Sequence, residues 1–245
     1  MTGPHARTSV RRDHALIAPE THVVGPVPGW SGTEHVLLIG PPMAARFTMA
    51  LVGMSAGAIA GPPRAGAGRA VYVLEGELTL EAQGARHALG PGHFAYLPPD
   101  AAHVLAAQTA ARACVIDKPY VEAPGAPRGR LVTGDSARLT PEPLLGDRSL
   151  RVTQLLPDDP ALDLALNLMT FDPGAALPFT ETHVMEHGLL VLEGTLVYRL
   201  GDAWYPVGAG DAVWMGPFCP QWCCGYGPGP ATYLIYKDWN RDAGA

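Results

Sequence analysis

The stretch FTETHVMEHG, residues 179 to 188, brings Glu181, His183 and His187 close together in the chain. Carboxylate and imidazole are the side chains that hold divalent cations and move protons near neutral pH. Two spacings compete. On a helix His183 and His187, four apart, share a face, as in the H-E-x-x-H arrangement of zinc proteases. On a strand Glu181 and His183, two apart, share one. Pro178 before the stretch and the apolar alternation LLVLEGTLVYRL directly after it favour strands. A fully extended chain would leave His187 roughly 20 Å from Glu181, whereas metal–ligand bonds are about 2 Å long. The spacing therefore predicts a turn between Val184 and Glu186, with His187 offered from the next strand: a short hairpin wrapped around a metal.

The rest of the chain has to build that hairpin. Gly 29 and Pro 25 among 245 residues, with only 16% charged, favour short strands joined by many turns over long surface helices. The formal net charge of -6, with no Lys/Arg cluster against it, argues against nucleic-acid or anionic-membrane partners. The opening MTGPHARTSVRRDHALIAP is charged but has no apolar run after it, unlike a secretory signal, and no stretch approaches the roughly 18 apolar residues of a spanning helix. Cys114, Cys219, Cys223 and Cys224 match neither a paired C-x-x-C zinc site nor a disulfide framework. A cytoplasmic protein with free thiols and no membrane association is expected.

The chain is written twice. VYVLEGELTL from Val71 and LLVLEGTLVYRL from Leu189 share V-L-E-G, with Gly76 and Gly194 standing 118 apart. LGPGHFAYLPPDAAH faces VGAGDAVWMGPFCPQ at the same offset, aligning Gly92 with Gly210, Pro99 with Pro217 and His103 with Gln221. With one residue gapped, ARACVIDKPY and ATYLIYKDWN extend the match and set Lys118 opposite Lys237. A constant offset of this length means two copies of one supersecondary unit. Each reads as alternating strands broken by E-G, P-G or A-G-D turns, the pattern of a small antiparallel barrel or jelly roll. The predicted fold is all-β, two tandem antiparallel barrels: an N-terminal arm over 1–34, a first barrel over 35–125, a Pro- and Gly-rich linker over 126–150 and a second barrel over 151–245. At the 118 offset Glu181, His183 and His187 become Pro63, Ala65 and Arg69, so only His103 occupies a ligand position in the first copy. That copy is expected to lack a metal and to serve as a structural partner.

GAGDAVWMGPFCPQW resembles the second motif of the cupin superfamily, and FTETHVMEHG with Gly194 the first. In that pattern the slots usually filled by imidazoles and one carboxylate here hold Glu181, His183, His187 and Gln221. Two imidazoles, a carboxylate and an amide oxygen without thiolate suit Mn(II), with Fe(II) and Ni(II) as competitors, better than a structural zinc. With LEGTLVYRLGDAWYPVGAGD, MGPFCPQW and YKDWNRD, this pattern is similar to the (S)-ureidoglycine aminohydrolase family of bicupins, over nearly the whole chain from DHALIAPETHVVGPVPGW onward. The resemblance implies Mn(II)-dependent hydrolysis of (S)-ureidoglycine to (S)-ureidoglycolate and ammonia in purine degradation through allantoin. It implies Glu181, His183, His187 and Gln221 as metal ligands, and Tyr233 and Lys237, with Tyr198 beside them, as substrate contacts together with Glu181 and Gln221. Glu181 and Lys237 would carry the proton transfer and neutralise the substrate carboxylate.

The runner-up is a metal-dependent bicupin oxygenase or isomerase acting on a small carboxylate. A ligand-binding regulatory cupin would need a DNA-binding segment, and none is visible. GMSAG satisfies G-x-S-x-G, but no helical pattern follows as a nucleophile elbow requires. Gly66 and Gly68 lack the strand-then-helix frame of a phosphate loop. The cysteines around Gln221 read as small buried fillers. Exposed barrel edges make a homo-oligomer the expected assembly.

Overall fold

The computed structural model describes residues 6–241. The alternating segments form strands, and the only helical elements among the described residues are three single 3-10 turns. In the first copy Thr48–Ala60 pairs with Ser31–Ile39 and Ala111–Pro119, and the latter with Ala67–Glu75. His103–Ala107 bonds both Thr48–Ala60 and Leu78–Ala82, so the sheet curls back on itself. Valine and alanine side chains such as Val52, Val73, Ala95 and Val115 fill its interior. In the second copy an eight-stranded sheet faces a three-stranded one made of Ala203–Gly208, Thr195–Leu200 and Gln221–Gly225. Leu189, Val191, Tyr198, Tyr233 and Ile235 fill the space between them. The predicted pair of antiparallel barrels is what forms. Ser55 of GMSAG lies within the long strand Thr48–Ala60, where no strand-to-helix elbow exists.

A third core joins the barrels. Leu38, Phe47, Met49, Tyr96 and Ile116 from the first pack on Leu164, Leu190, Trp214, Leu234 and Tyr236 from the second. Strand alternation explains how one strand serves both cores: in Ala231–Asp238, Tyr233 and Ile235 point into the second barrel while Leu234 and Tyr236 point at the first.

The arm and the predicted linker exchange strands. His14–Ile17, from the arm, pairs with Ala212–Met215 of the second barrel. Val132–Asp135, between the copies, pairs with His93–Leu97 of the first. Glu142–Leu144 and Asp147–Gln154 continue into the second sheet. Each copy's leading strand thus completes the other copy's sheet and covers an edge that would otherwise be open.

The E-G turns show why glycine recurs at the 118 offset. Gly76 and Gly194 have φ of 72° and 74°, and a Cβ there would sit 2.2 Å from the Ala110 carbonyl oxygen or 2.4 Å from that of Pro230. Gly194→Ala is expected to cost at least about 2 kcal/mol, the conformational strain being compounded by the clash. A urea midpoint within error of the parent would refute that reading.

Candidate metal centre and active site

Glu181 exchanges both backbone hydrogen bonds with Gln221 in an isolated bridge (2.8 and 2.9 Å), so the two side chains start from one point. His183 follows in a loop, its carbonyl oxygen accepting from the Phe218 N–H at 2.8 Å. The chain bends at Val184, and His187 opens the strand His187–Glu193. No helix covers His183 to His187. The expected hairpin is replaced by this bridge and loop, because Glu181 finds its partner in Gln221 rather than in a neighbouring strand of its own segment.

The imidazoles converge. His183 Nε2 lies 3.0 Å from His187 Nε2 and 3.0 Å from Gln221 Nε2, and 3.8 Å from Glu181 Oε2. Ligand atoms held at about 2.1 Å and right angles around one cation stand about 3 Å apart. A half-turn of the Gln221 amide presents its oxygen instead of its nitrogen. His187 is buried, and burial together with the charges of His183 and Lys237 holds its pKa well below the usual imidazole value. It is therefore neutral, the state a metal ligand requires. The two Nε2 atoms face each other, and the Nδ1 atoms are buried with no well-formed hydrogen bond. These residues fit a divalent cation. Glu181 is the member that stands off from the cluster.

The tightest trio of carboxylate, imidazole and thiol among the described residues lies elsewhere, at Asp13, His14 and Cys219. Both ring nitrogens of His14 are engaged there, Nδ1 with Asp13 and Nε2 with the Tyr205 hydroxyl, each at 2.9 Å. Burial, with Asp13 adding to it, pushes the Cys219 thiol up to about 11, so it stays protonated. The trio anchors the arm; the converging Nε2 atoms of His183 and His187 make their cluster the better candidate for a metal centre.

Lys237 is the cross-strand partner of His187 and points with it into the barrel. Its Nζ sits 4.3 Å from the centre of the Trp239 ring, whose Nε1 donates to Asp158 at 2.7 Å. Burial lowers the Lys237 pKa, opposed by the charges of Glu181 and Asp158. Tyr233 is on the same face, as its spacing predicts, but lies four residues or about 13 Å along the strand. Its hydroxyl contacts Met169 Sδ at 3.3 Å, and its ring lies 6.4 Å from that of Tyr198. Tyr198, Tyr233 and Cys223 form a buried floor whose pKa values burial raises, and the charge of Glu181 reaches both Tyr198 and Cys223. Lys237 thus shares a rung with His187, and Tyr233 lies farther along the same strand, packed near Tyr198. A depression of about 430 Å³ bordered by Val184, Met185, Trp239, Asn240 and Arg241 opens beside the site. Trp239 escaped sequence reasoning, although the W in YKDWNRD was its signal.

The first barrel's corresponding rung corrects the alignment. Asp117, not Lys118, pairs with Arg69 as Lys237 pairs with His187, so the last strands align with two residues gapped and Lys118 faces Asp238. Arg69 is 1% exposed; it donates to both Asp117 oxygens at 2.7 and 2.8 Å and to the Gly61 carbonyl oxygen at 2.6 Å. A guanidinium occupies the rung that holds His187 in the second barrel.

A cupin domain model matches the chain twice, over residues 50–117 and 167–235. The (S)-ureidoglycine aminohydrolase of Arabidopsis thaliana is 39% identical over 239 residues, spanning 96% of this chain and 79% of that protein. The Escherichia coli enzyme of the same name is 32% identical over 234 residues, 93% and 89% of the two chains. The crystal structure of a putative glyoxylate-induced protein from Pseudomonas aeruginosa superposes with a TM-score of 0.89 at 33% identity, covering 98% of this chain and 93% of that one. Two cupin matches and this likeness along nearly the full length place the chain in the (S)-ureidoglycine aminohydrolase family of bicupins.

Proposed function

We propose that the chain hydrolyses (S)-ureidoglycine to (S)-ureidoglycolate and ammonia, using a divalent cation, Mn(II) first among candidates, held by Glu181, His183, His187 and Gln221. The observation that carries the reading is the 3.0 Å convergence of two imidazoles and an amide beside the rung that also bears a half-buried lysine. A cation bound there supplies an anchor for the substrate's amine or carboxylate and a Lewis acid. The side chains do the rest. Lys237, immobilised on Trp239, binds the substrate carboxylate as a point charge in a low-dielectric pocket. Glu181, whose Oε2 lies 3.8 Å from His183 Nε2, would take a proton from the attacking water and return it to the departing amine. The Tyr198–Tyr233–Cys223 floor closes the pocket beneath them and limits the space open to bulk water.

Lys237→Met is expected to raise KM for ureidoglycine by about 30-fold or more, since losing one partner of a buried charge contact costs at least about 2 kcal/mol. An unchanged KM would remove Lys237 from substrate binding. The reading as a whole is tested by metal-stripped protein supplied with freshly generated (S)-ureidoglycine. Ammonia release restored by Mn(II), with chiral (S)-ureidoglycolate as product, is expected. Oxygen uptake without ammonia release would favour an oxygenase instead.

A further inference from the structure

Arg46 lies in the first barrel, just before Thr48–Ala60, yet its side chain crosses to the second. Its backbone N–H reaches both Glu186 oxygens at 3.2 Å, its Nε reaches Oε2 at 3.2 Å, and its Nη2 pairs with Asp238. Glu186 is fully buried and also accepts from Trp214 Nε1 at 2.7 Å; Asp238 accepts from the Tyr236 hydroxyl at 2.6 Å. Glu186 and Asp238 are the chain neighbours of His187 and Lys237. Because successive strand residues face opposite ways, His187 and Lys237 look into the barrel while Glu186 and Asp238 look back at Arg46.

That rung sits at the strand ends. His187 is the first residue of His187–Glu193, and Lys237 is the last but one of Ala231–Asp238. Strand ends are where ladders open first. Phe47 supports the same spot, its ring 4.1 Å from that of Tyr236 and so near Gly188 that a Cβ there would meet Phe47 Cζ at 2.5 Å.

The repeat supplies an internal control. The strand registers match Thr48, opposite Asp117, with Ala165, opposite Lys237, an offset of 117 here, so the match of Arg46 is Asp163, which pairs with buried Lys118, the match of Asp238. This second inter-barrel ion pair is the first with its charges exchanged. The match of Glu186, however, is Gly68. Both barrels share the ion pair, but the additional carboxylate gripped by Arg46 stands only behind the rung that carries the metal centre.

We infer that Arg46 is a positioning residue for the active site: by gripping Glu186 and Asp238 together, it holds His187 and Lys237 at the spacing the metal centre and substrate need. The first barrel thereby takes part in the chemistry at a distance. This rests on the proposed aminohydrolase site, and its test has readouts that do not depend on activity.

The experiment compares Arg46→Met, Arg46→Lys and Asp238→Asn with the parent, well below their unfolding temperatures. Residues that orient metal ligands from behind change metal affinity or activity by about 10- to 100-fold. Arg46→Met is expected to weaken Mn(II) binding, followed by electron paramagnetic resonance, by at least about tenfold on that scale, with kcat falling alongside. Amide hydrogen exchange should accelerate in peptides covering 182–190 and 234–241 and remain as in the parent elsewhere. Arg46→Lys should recover part of the affinity through one carboxylate, and Asp238→Asn, which spares Glu186, should show a smaller loss. A lowered melting temperature with parental Mn(II) affinity, or exchange raised evenly through both barrels, would reduce Arg46 to a stabilising contact and overturn the inference. If the parent binds Mn(II) but releases no ammonia from ureidoglycine, the proposed reaction fails while exchange and affinity still decide the role of Arg46.

Discussion

His187→Ala is expected to abolish tight binding of the cation and to lower kcat/KM by about 10³-fold or more, the several kcal/mol that metal-ion catalysis contributes. His187 is where the elements of the site meet. It opens its strand, shares a rung with Lys237, and offers a neutral Nε2 3.0 Å from that of His183. Alanine removes one of the two imidazoles and leaves three of the four candidate ligands, an incomplete set for one cation. His183→Ala should fall to the same floor, and the double variant no further, because ligands of one ion act as a unit. Metal content by elemental analysis and ammonia release together check this. A His187→Ala protein that retains stoichiometric metal and near-parental turnover would dismantle the site.

The second large effect is on stability and lies in the other barrel. Arg69→Met is expected to destabilise the fold by about 3–5 kcal/mol, since it leaves a carboxylate in the barrel without its cation. Arg69 is almost wholly buried and Asp117 mostly so, and the fork geometry binds both carboxylate oxygens. The double change Arg69→Met with Asp117→Leu should recover much of that loss, as apolar replacements of paired charges commonly do. The urea midpoint reads the change, and a parental slope with the denaturant would show that the unfolded reference has stayed the same. If the single variant unfolds at the parental midpoint, the pair is not what fills the first barrel's vestigial site.

Much of this site was legible because its parts are local. Glu181, His183 and His187 fall within seven positions, and strand parity put Lys237 and Tyr233 on one face. The 118 offset set Gln221 opposite His103 and left a single candidate ligand position in the first copy, where the rung matching His187 holds Arg69. What misled was also local. The expected hairpin became a bridge from Glu181 to Gln221, a partner forty residues away. The gap in the last strand was set at one residue instead of two, and in a ladder a one-residue slip turns every side chain to the opposite face. That slip is why Lys118 was set against Lys237, when the rung pairs Asp117 with Arg69.

The sequence by itself determined the strand periods, the duplication and the chemistry of the ligands, because each depends on residue type and short spacing. Tertiary structure alone decided that the leading strands of the two copies change places, that a guanidinium fills one barrel at the rung where the other holds His187, and that Arg46 reaches across behind that rung. The physical reason is that these features join residues 36 (Val132 with Tyr96) to 201 (Met215 with His14) positions apart, through registers and ion pairs fixed by packing. Local pattern carries no record of which distant partner a strand edge or a buried charge will find.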